Sequence, residues 1–225
     1  MMPFPGGIEN TANGALILSV GAAILYLFAT ADAPSLRRTA VKTLAIALLA
    51  VLAFMQGAPW LLVLALALSA AGDAALSRDG DAAFLGGLAS FLAAHIAYIA
   101  LFLSHGSGWF APIASSALLT TVAFVMVVTT VATLNILLRK VLASLRLPVL
   151  AYGIAILVMG LASLTTGQPW IIIGAMLFMA SDTILGFERF VMSSIGQGRW
   201  AARVAVWVLY YAAQLILTLG VIFAR

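Results

Sequence analysis

The amino-acid sequence predicts an all-α, polytopic membrane protein in which eight transmembrane helices form one bundle. Hydrophobic residues make up 64% of the 225 residues and charged residues only 8%, whereas a soluble domain carries about 25% charged residues. Apolar runs of the length that crosses a bilayer, about 20 residues, recur along the chain between charged or turn residues. These runs are too long for membrane β-strands and do not alternate as such strands do.

The predicted helices follow these runs, and the chain is treated as a single transmembrane domain over residues 1–225. Helix 3 begins at the Pro59–Trp60 pair, helix 6 at Pro148 and helix 7 at the Pro169–Trp170 pair. Proline is tolerated in the first turn of a helix, and tryptophan is enriched at the membrane interface. The eight predicted spans are 14–30, 40–55, 59–77, 83–104, 111–134, 147–165, 169–187 and 201–223.

Composition excludes several classes of function. The chain contains no cysteine, which excludes disulfides and thiol chemistry. The formal net charge of +4 does not indicate a nucleic-acid partner, because basic residues in a membrane protein mark its cytoplasmic side. Residues 1–13 lack the basic segment of a signal peptide, so none is expected. The sequence also contains neither a Walker-type loop nor a Gly-x-Ser-x-Gly elbow.

Basic residues predict the orientation of the helices. Ten of the 11 Lys and Arg residues lie in loops 1–2, 3–4, 5–6 and 7–8 or at the adjoining helix starts. The positive-inside rule therefore places these loops in the cytoplasm and both termini outside. The ten residues are Arg37, Arg38, Lys42, Arg78, Arg139, Lys140, Arg146, Arg189, Arg199 and Arg203.

Two of the seven acidic residues, Asp73 and Asp182, fall inside predicted helices, and the other five lie in loops or at helix ends. A charge at the centre of a membrane helix costs about 2.5–3.5 kcal/mol on insertion scales, so such a residue is usually functional. The alternative is a structural role, in which each aspartate reaches loop water or pairs with Arg78 or Arg189.

A short pattern also recurs around these two aspartates. Segments 71–76 and 180–185 both read Ala-small-Asp-x-x-Leu and lie 109 residues apart. Each Asp lies about one turn before the predicted end of its helix. Because helix 7 is the fourth helix after helix 3, both segments run in the same direction through the membrane. The pattern therefore suggests a parallel four-helix internal repeat, with both carboxylates near the cytoplasmic side.

Further polar side chains concentrate in the predicted cytoplasmic half and near mid-membrane, where they could line a cavity open to the cytoplasm. The tyrosines could instead join helices by hydrogen bonds, Lys42 could extend to the interface, and His95 could be a packing residue. Metal chemistry is not expected with two histidines, although Mg²⁺ held by the two aspartates is an alternative. The candidates are Lys42, Ser69, His95, Tyr98, Asn135, Tyr152, Ser181, Tyr210, Tyr211 and Gln214.

Several of these residues lie in segments that resemble the signatures of the YhhN-like lysoplasmalogenase family. The resemblance spans helices 2 to 8, and the order and spacing of the segments make it specific. It departs from the family at Lys42, which is followed by Thr43 where the family often has proline. The segments are Leu68–Asp73 followed by Phe84, Gly87, Phe91, His95 and Tyr98; Leu147–Tyr152; Gly174–Asp182; and Tyr210–Gln214.

The resemblance implies a cofactor-free hydrolase of the bacterial inner membrane. It would cleave the vinyl ether bond of lysoplasmalogens to a fatty aldehyde and glycerophosphoethanolamine or glycerophosphocholine. Such chemistry needs one protonated carboxylic acid and one carboxylate, as in glycosidases. Asp73 and Asp182 are the expected catalytic pair, without an assignment of which is the acid. The other candidates would bind the lysophospholipid. Its phosphate would be bound by Lys42 or another basic residue. The chain could also form a homo-oligomer.

Two other classes of function are alternatives to this hydrolase. A proton- or cation-coupled transporter of a small amphiphile would also use intramembrane aspartates. The outer halves of the predicted helices are nearly apolar, which disfavours a polar path across the membrane. A structural or lipid-scaffold protein would leave the aspartate pair unexplained.

Overall fold

A computed structural model describes residues 2–30, 32–106, 111–192 and 197–224. Within these ranges all regular structure is helical, which confirms the all-α prediction. Eight long helices are joined by short connections, with a 3-10 turn at Gly7–Glu9 and a four-residue helix at Ala111–Ala114. The long helices α1 to α8 are Thr11–Phe28, Leu36–Met55, Trp60–Leu76, Asp81–His105, Ala117–Lys140, Ala143–Leu164, Pro169–Phe190 and Gln197–Phe223.

Seven of the eight long helices are long and apolar enough to cross a membrane, and α3, with 17 residues, is shorter. Large apolar side chains point outward along them. Phe54 is 73% exposed, Phe124 67% and Ile154 50%. Such a surface is favourable against lipid hydrocarbon and unfavourable in water. The helices also satisfy their own backbone hydrogen bonds, which a membrane span requires.

Several helix boundaries differ from the prediction, among them both ends of α5, the start of α6 and the end of α7. α5 begins at Ala117 because Ser116 caps it, accepting a bond from the backbone N–H of Leu119 at 3.3 Å. It continues to Lys140, since basic residues are favourable at a helix C-terminus. Pro148 lies inside α6 rather than at its start. There, just past the first turn, proline costs one backbone hydrogen bond. α7 continues to Phe190, beyond the predicted end at residue 187.

Contacts along the chain divide it into two compact units. The first contains the described residues up to Ala97 and those from Val221 onward, and the second runs from Tyr98 to Gly220. In the first unit α2 packs against α1 and α3; in the second α6 packs against α5 and α7. The single domain and the internal repeat remain predictions.

Two glycines allow α3 and α4 to approach each other closely in the first unit. A Cβ atom added at Gly72 would lie 2.6 Å from Cδ2 of Phe91, and one added at Gly87 would lie 2.5 Å from Cγ of Leu76. Both distances are too short for real side chains. Small residues at such positions are typical of membrane helix interfaces, and here they hold the backbone next to Asp73 against α4.

Candidate active site

Asp73 is buried in the first unit and forms an ion pair with Lys42. The Lys42 Nζ atom, on α2, lies 2.9 Å from the Asp73 Oδ1 atom on α3. The Asp73 side chain is 1% exposed and that of Lys42 is 15% exposed. Removing one partner of a buried ion pair costs about 3–5 kcal/mol, because the other charge remains buried. Loss of either partner is therefore expected to be strongly destabilising.

Tyr26 and Arg38 extend this ion pair into a cluster that sequence analysis did not predict. Tyr26 on α1 is buried, and its ring centroid lies 5.7 Å from Lys42 Nζ and 5.6 Å from Arg38 Cζ. Arg38 Nη2 also donates to Tyr26 Oη at 3.2 Å. Among the described residues Arg38 has no acidic partner. The cluster of Asp73, Lys42 and Arg38 thus carries one net positive charge.

Ser69 lies one helical turn before Asp73 on the same face of α3, as predicted from the i, i+4 spacing. It is fully buried, and its Oγ atom has no hydrogen-bond partner in the described part of the chain. A buried hydroxyl without a partner costs about 1–3 kcal/mol. The Ser69 hydroxyl is therefore available to a ligand that reaches Asp73.

Asp182, in the second unit, is hydrogen-bonded to a phenol. Tyr152 Oη on α6 donates to Asp182 Oδ2 on α7 at 2.5 Å, and both residues are half-buried. The next residue, Gly153, packs against α5, since a Cβ atom added there would lie 2.6 Å from Cδ2 of Leu134. A phenol can donate to a carboxylate or accept from a carboxylic acid. Tyr152 is thus compatible with either protonation state of Asp182.

Lys42 and Tyr152 occupy corresponding positions relative to the two aspartates. Each lies on the helix that precedes its aspartate: Tyr152 is 30 residues before Asp182, and Lys42 is at nearly the same separation from Asp73. The correspondence follows the sequence pattern that suggests an internal repeat. The contact is nevertheless with an ammonium group at Asp73 and with a phenol at Asp182.

Tyr98 and Gln214, predicted from separate segments, are brought together in the second unit. Tyr98 Oη donates to Gln214 Oε1 at 2.5 Å, and both residues are fully buried. The Gln214 Nε2 atom has no hydrogen-bond partner among the described residues. The rings of Tyr98 and Tyr210 both pack edge-on against Phe178, with centroids 6.4 and 5.4 Å apart. The predicted tyrosines thus belong to an aromatic core as well as to polar contacts.

The remaining predicted residues lie in different environments. His95 is fully buried in the first unit. Ser181 Oγ donates to a backbone carbonyl of α8 at 3.0 Å and so joins α7 to α8. Tyr211 stacks on Trp207, with ring centroids 5.9 Å apart. Asn135 is exposed on α5. In the described part of the chain, no three His, Asp or Glu side chains are grouped as metal ligands.

A buried ion-pair cluster at Glu188 was also missed. Glu188 is 6% exposed, and its Oε1 atom accepts from Arg199 Nε at 2.5 Å and from Arg203 Nε at 3.1 Å. The i, i+4 spacing of the two arginines places them on one face of α8. The predicted end of helix 7 put Glu188 beyond the helix. Because α7 continues to Phe190, Asp182 lies about two turns before its end rather than one.

Comparison with known proteins gives the family of the chain. The sequence profile of the YhhN family matches residues 37–221. The chain is similar to Homo sapiens lysoplasmalogenase TMEM86B, with 33% identity over 158 residues, which cover 69% of this chain and 61% of that protein. It is also similar to the lysoplasmalogenase of Mycobacterium tuberculosis, with 34% identity over 174 residues that cover 73% of this chain and 61% of the relative.

These relatives are longer than the matched region, since the chain spans about 61% of the length of each. No solved structure matches the chain significantly. The family profile nevertheless extends from the start of α2 to the last turn of α8. This multi-pass membrane protein therefore belongs to the YhhN family.

Proposed function

We propose that this protein is a membrane hydrolase that cleaves the vinyl ether bond of lysoplasmalogens. The products would be a fatty aldehyde and glycerophosphoethanolamine or glycerophosphocholine. The substrate class comes from the relatives, which are named lysoplasmalogenases. The observation that carries the proposal is the contrast between two helix-borne aspartates, Asp73 paired with Lys42 and Asp182 bonded to Tyr152.

Asp182 is the proposed proton donor. Vinyl ether hydrolysis begins when an acid adds a proton to the β-carbon of the double bond, which leaves an oxocarbenium ion centred on the α-carbon. The Tyr152 hydroxyl can accept from the protonated acid and donate to the carboxylate that remains after transfer. Asp182 can therefore pass through both states while it keeps the same partner.

Asp73 is the proposed anionic group. With Lys42 beside it, the carboxylate can stabilise the oxocarbenium ion and take a proton from the attacking water, as the second carboxylate does in glycosidases. The water oxygen bonds to the α-carbon and gives a hemiacetal. Collapse then breaks the bond between the α-carbon and the glycerol oxygen, which leaves with a proton. One water is consumed per turnover, and the carboxyl groups regain their starting states by proton exchange with solvent.

Arg38 is the proposed ligand of the substrate phosphate, because the charge of Lys42 is already balanced by Asp73. Hydrogen bonds to charged groups contribute about 1.5–3 kcal/mol. Arg38→Gln should therefore raise KM roughly ten- to a hundredfold and change kcat little. The neighbouring exposed Arg37 provides the matched control, Arg37→Gln. An unchanged KM in Arg38→Gln, measured by aldehyde release, would exclude this role.

The remaining predicted site residues and the orientation stay part of the proposal. The positive-inside rule places both aspartates towards the cytoplasmic side of the membrane. Among the buried polar atoms that have no partner in the described part of the chain, Ser69 Oγ and Gln214 Nε2 are the groups we expect to contact substrate. His95 and Tyr211 are also proposed to bind substrate.

The function is tested by incubating the purified protein in detergent with a panel of lyso-ether lipids. The panel contains alkenyl lysophosphoethanolamine, alkenyl lysophosphocholine and their saturated alkyl analogues, and fatty aldehyde is detected by mass spectrometry. We expect aldehyde from the alkenyl lipids alone, because a saturated ether has no double bond to protonate. Substrate-dependent uptake into proteoliposomes without any product would instead support a transporter.

A further inference from the structure

A groove on the second unit lies where the end of α5 meets the start of α6. Its volume is about 450 Å³, and it combines cationic and apolar side chains. The two helices are joined by residues 141–142 alone, so the groove lies at their shared end. The lining residues are Asn135, Leu138, Arg139, Arg146, Leu147 and Leu150.

No acidic side chain in the described part of the protein pairs with the two arginines of this groove. Arg139 and Arg146 are exposed, and among the described residues neither forms an ion pair or hydrogen bond. The lining contains no acidic residue. This differs from Arg199 and Arg203 of the same unit, which share the carboxylate of Glu188. The groove therefore offers two guanidinium groups to an anion from outside the chain.

The rest of the lining fits an acyl chain. Three leucines border the arginines, and Leu147 is 73% exposed. Guanidinium groups bind phosphate oxygens through paired hydrogen bonds, and lipid headgroups lie at the level of membrane helix ends. The groove thus offers a phosphate-binding part next to an apolar part, in the same arrangement as the phosphate and acyl chains of a phospholipid.

We propose that this groove binds an anionic glycerophospholipid of the surrounding membrane. Its phosphate would lie between Arg139 and Arg146, and an acyl chain would cover the leucines. A net negative headgroup is favoured over a zwitterionic one, because no carboxylate in the lining can receive a headgroup amine. The groove shares only Asn135 with the residues predicted to bind the zwitterionic substrate, and its occupancy does not depend on the proposed hydrolysis.

Binding here has a structural consequence. The lipid would bridge α5 and α6 next to the turn that joins them, and α6 carries Tyr152, the partner of Asp182. A ligand that binds only the folded protein raises its unfolding temperature. Occupancy can therefore be measured without reference to enzymatic activity.

The test is thermal unfolding of the delipidated full-length protein in detergent, titrated with phosphatidylglycerol or phosphatidylcholine in mixed micelles. We expect phosphatidylglycerol to raise Tm by several degrees and phosphatidylcholine to have little effect. The Arg139→Gln/Arg146→Gln double variant should lose this difference. Lys140→Gln, at an exposed basic residue next to the groove, should keep it.

Inorganic phosphate and diacylglycerol test the contributions of the phosphate and of the acyl chains separately. Neither alone should reproduce the Tm shift, because the groove is proposed to need phosphate and acyl chain together. Equal shifts with phosphatidylcholine, an undiminished shift in the double variant, or a full shift with inorganic phosphate would each overturn the proposal. If the double variant unfolds without lipid, the single variants are used instead, and native mass spectrometry measures how much phosphatidylglycerol each retains. Each should retain less than the wild type, and equal retention would overturn the proposal.

Discussion

Replacement of Asp182 by asparagine should lower kcat for aldehyde release by about 10²–10⁴-fold, the range expected for loss of a general acid. Asparagine preserves the size of the side chain and can still accept the hydrogen bond from Tyr152. It cannot transfer a proton to the β-carbon. KM and the unfolding temperature should therefore remain near those of the wild type, and steady-state kinetics with mass detection of aldehyde measures the effect.

The matched control is Asp79→Asn. Asp79 is an exposed acid in the connection between α3 and α4, outside the proposed site. It should retain wild-type kinetics, which would show that removal of an acid in general is not harmful. An Asp182→Asn variant with kcat within threefold of the wild type would exclude Asp182 as the proton donor.

Replacement of Asp73 by alanine should lower kcat by about 10²–10³-fold, the effect expected when a group that stabilises transition-state charge is removed. Added formate should restore part of this loss. Formate is ionised near neutral pH, as carboxylic acids ordinarily are, and it is small enough to replace the missing carboxylate beside Lys42. Aldehyde release with increasing formate concentration measures the recovery.

The same experiment on Asp182→Ala separates the two roles. Formate should not rescue that variant, because an ionised carboxylate has no proton to donate. Rescue of Asp182→Ala but not of Asp73→Ala would reverse the assignment. Lys42→Met serves as a structural comparison: it should destabilise the protein by about 3–5 kcal/mol, because it leaves the Asp73 charge buried without its ammonium partner.

The helices could be predicted from sequence because long apolar runs bounded by charge and turn residues leave few alternatives in a membrane protein. The predicted helix boundaries were wrong where a residue type is compatible with two positions relative to a helix end. Pro148 is favourable at a helix start but is also tolerated inside α6, and Arg139 and Lys140 can follow a helix or complete one. Glu188 was predicted to lie beyond helix 7 because a charged residue, too, can either follow a helix or belong to its last turn.

The candidate site was predictable only in part. Asp73 and Asp182 stand out because each is a charge within an apolar run, and Tyr152 was identified as a polar residue at similar depth. The contact between Lys42 and Tyr26 could not be predicted, because it depends on how α1 and α2 are rotated against each other. The sequence around a tyrosine in an apolar helix does not indicate that a lysine of another helix will contact its ring.

The central claim is that a carboxylic acid of this protein protonates a vinyl ether carbon. It is tested most directly by hydrolysis of an alkenyl lysophospholipid in D₂O, with immediate reduction of the aldehyde and mass analysis. The proposed mechanism predicts one deuterium on the carbon next to the former aldehyde carbon, in a product that Asp182→Asn does not form. Aldehyde released without deuterium at that carbon would contradict the mechanism.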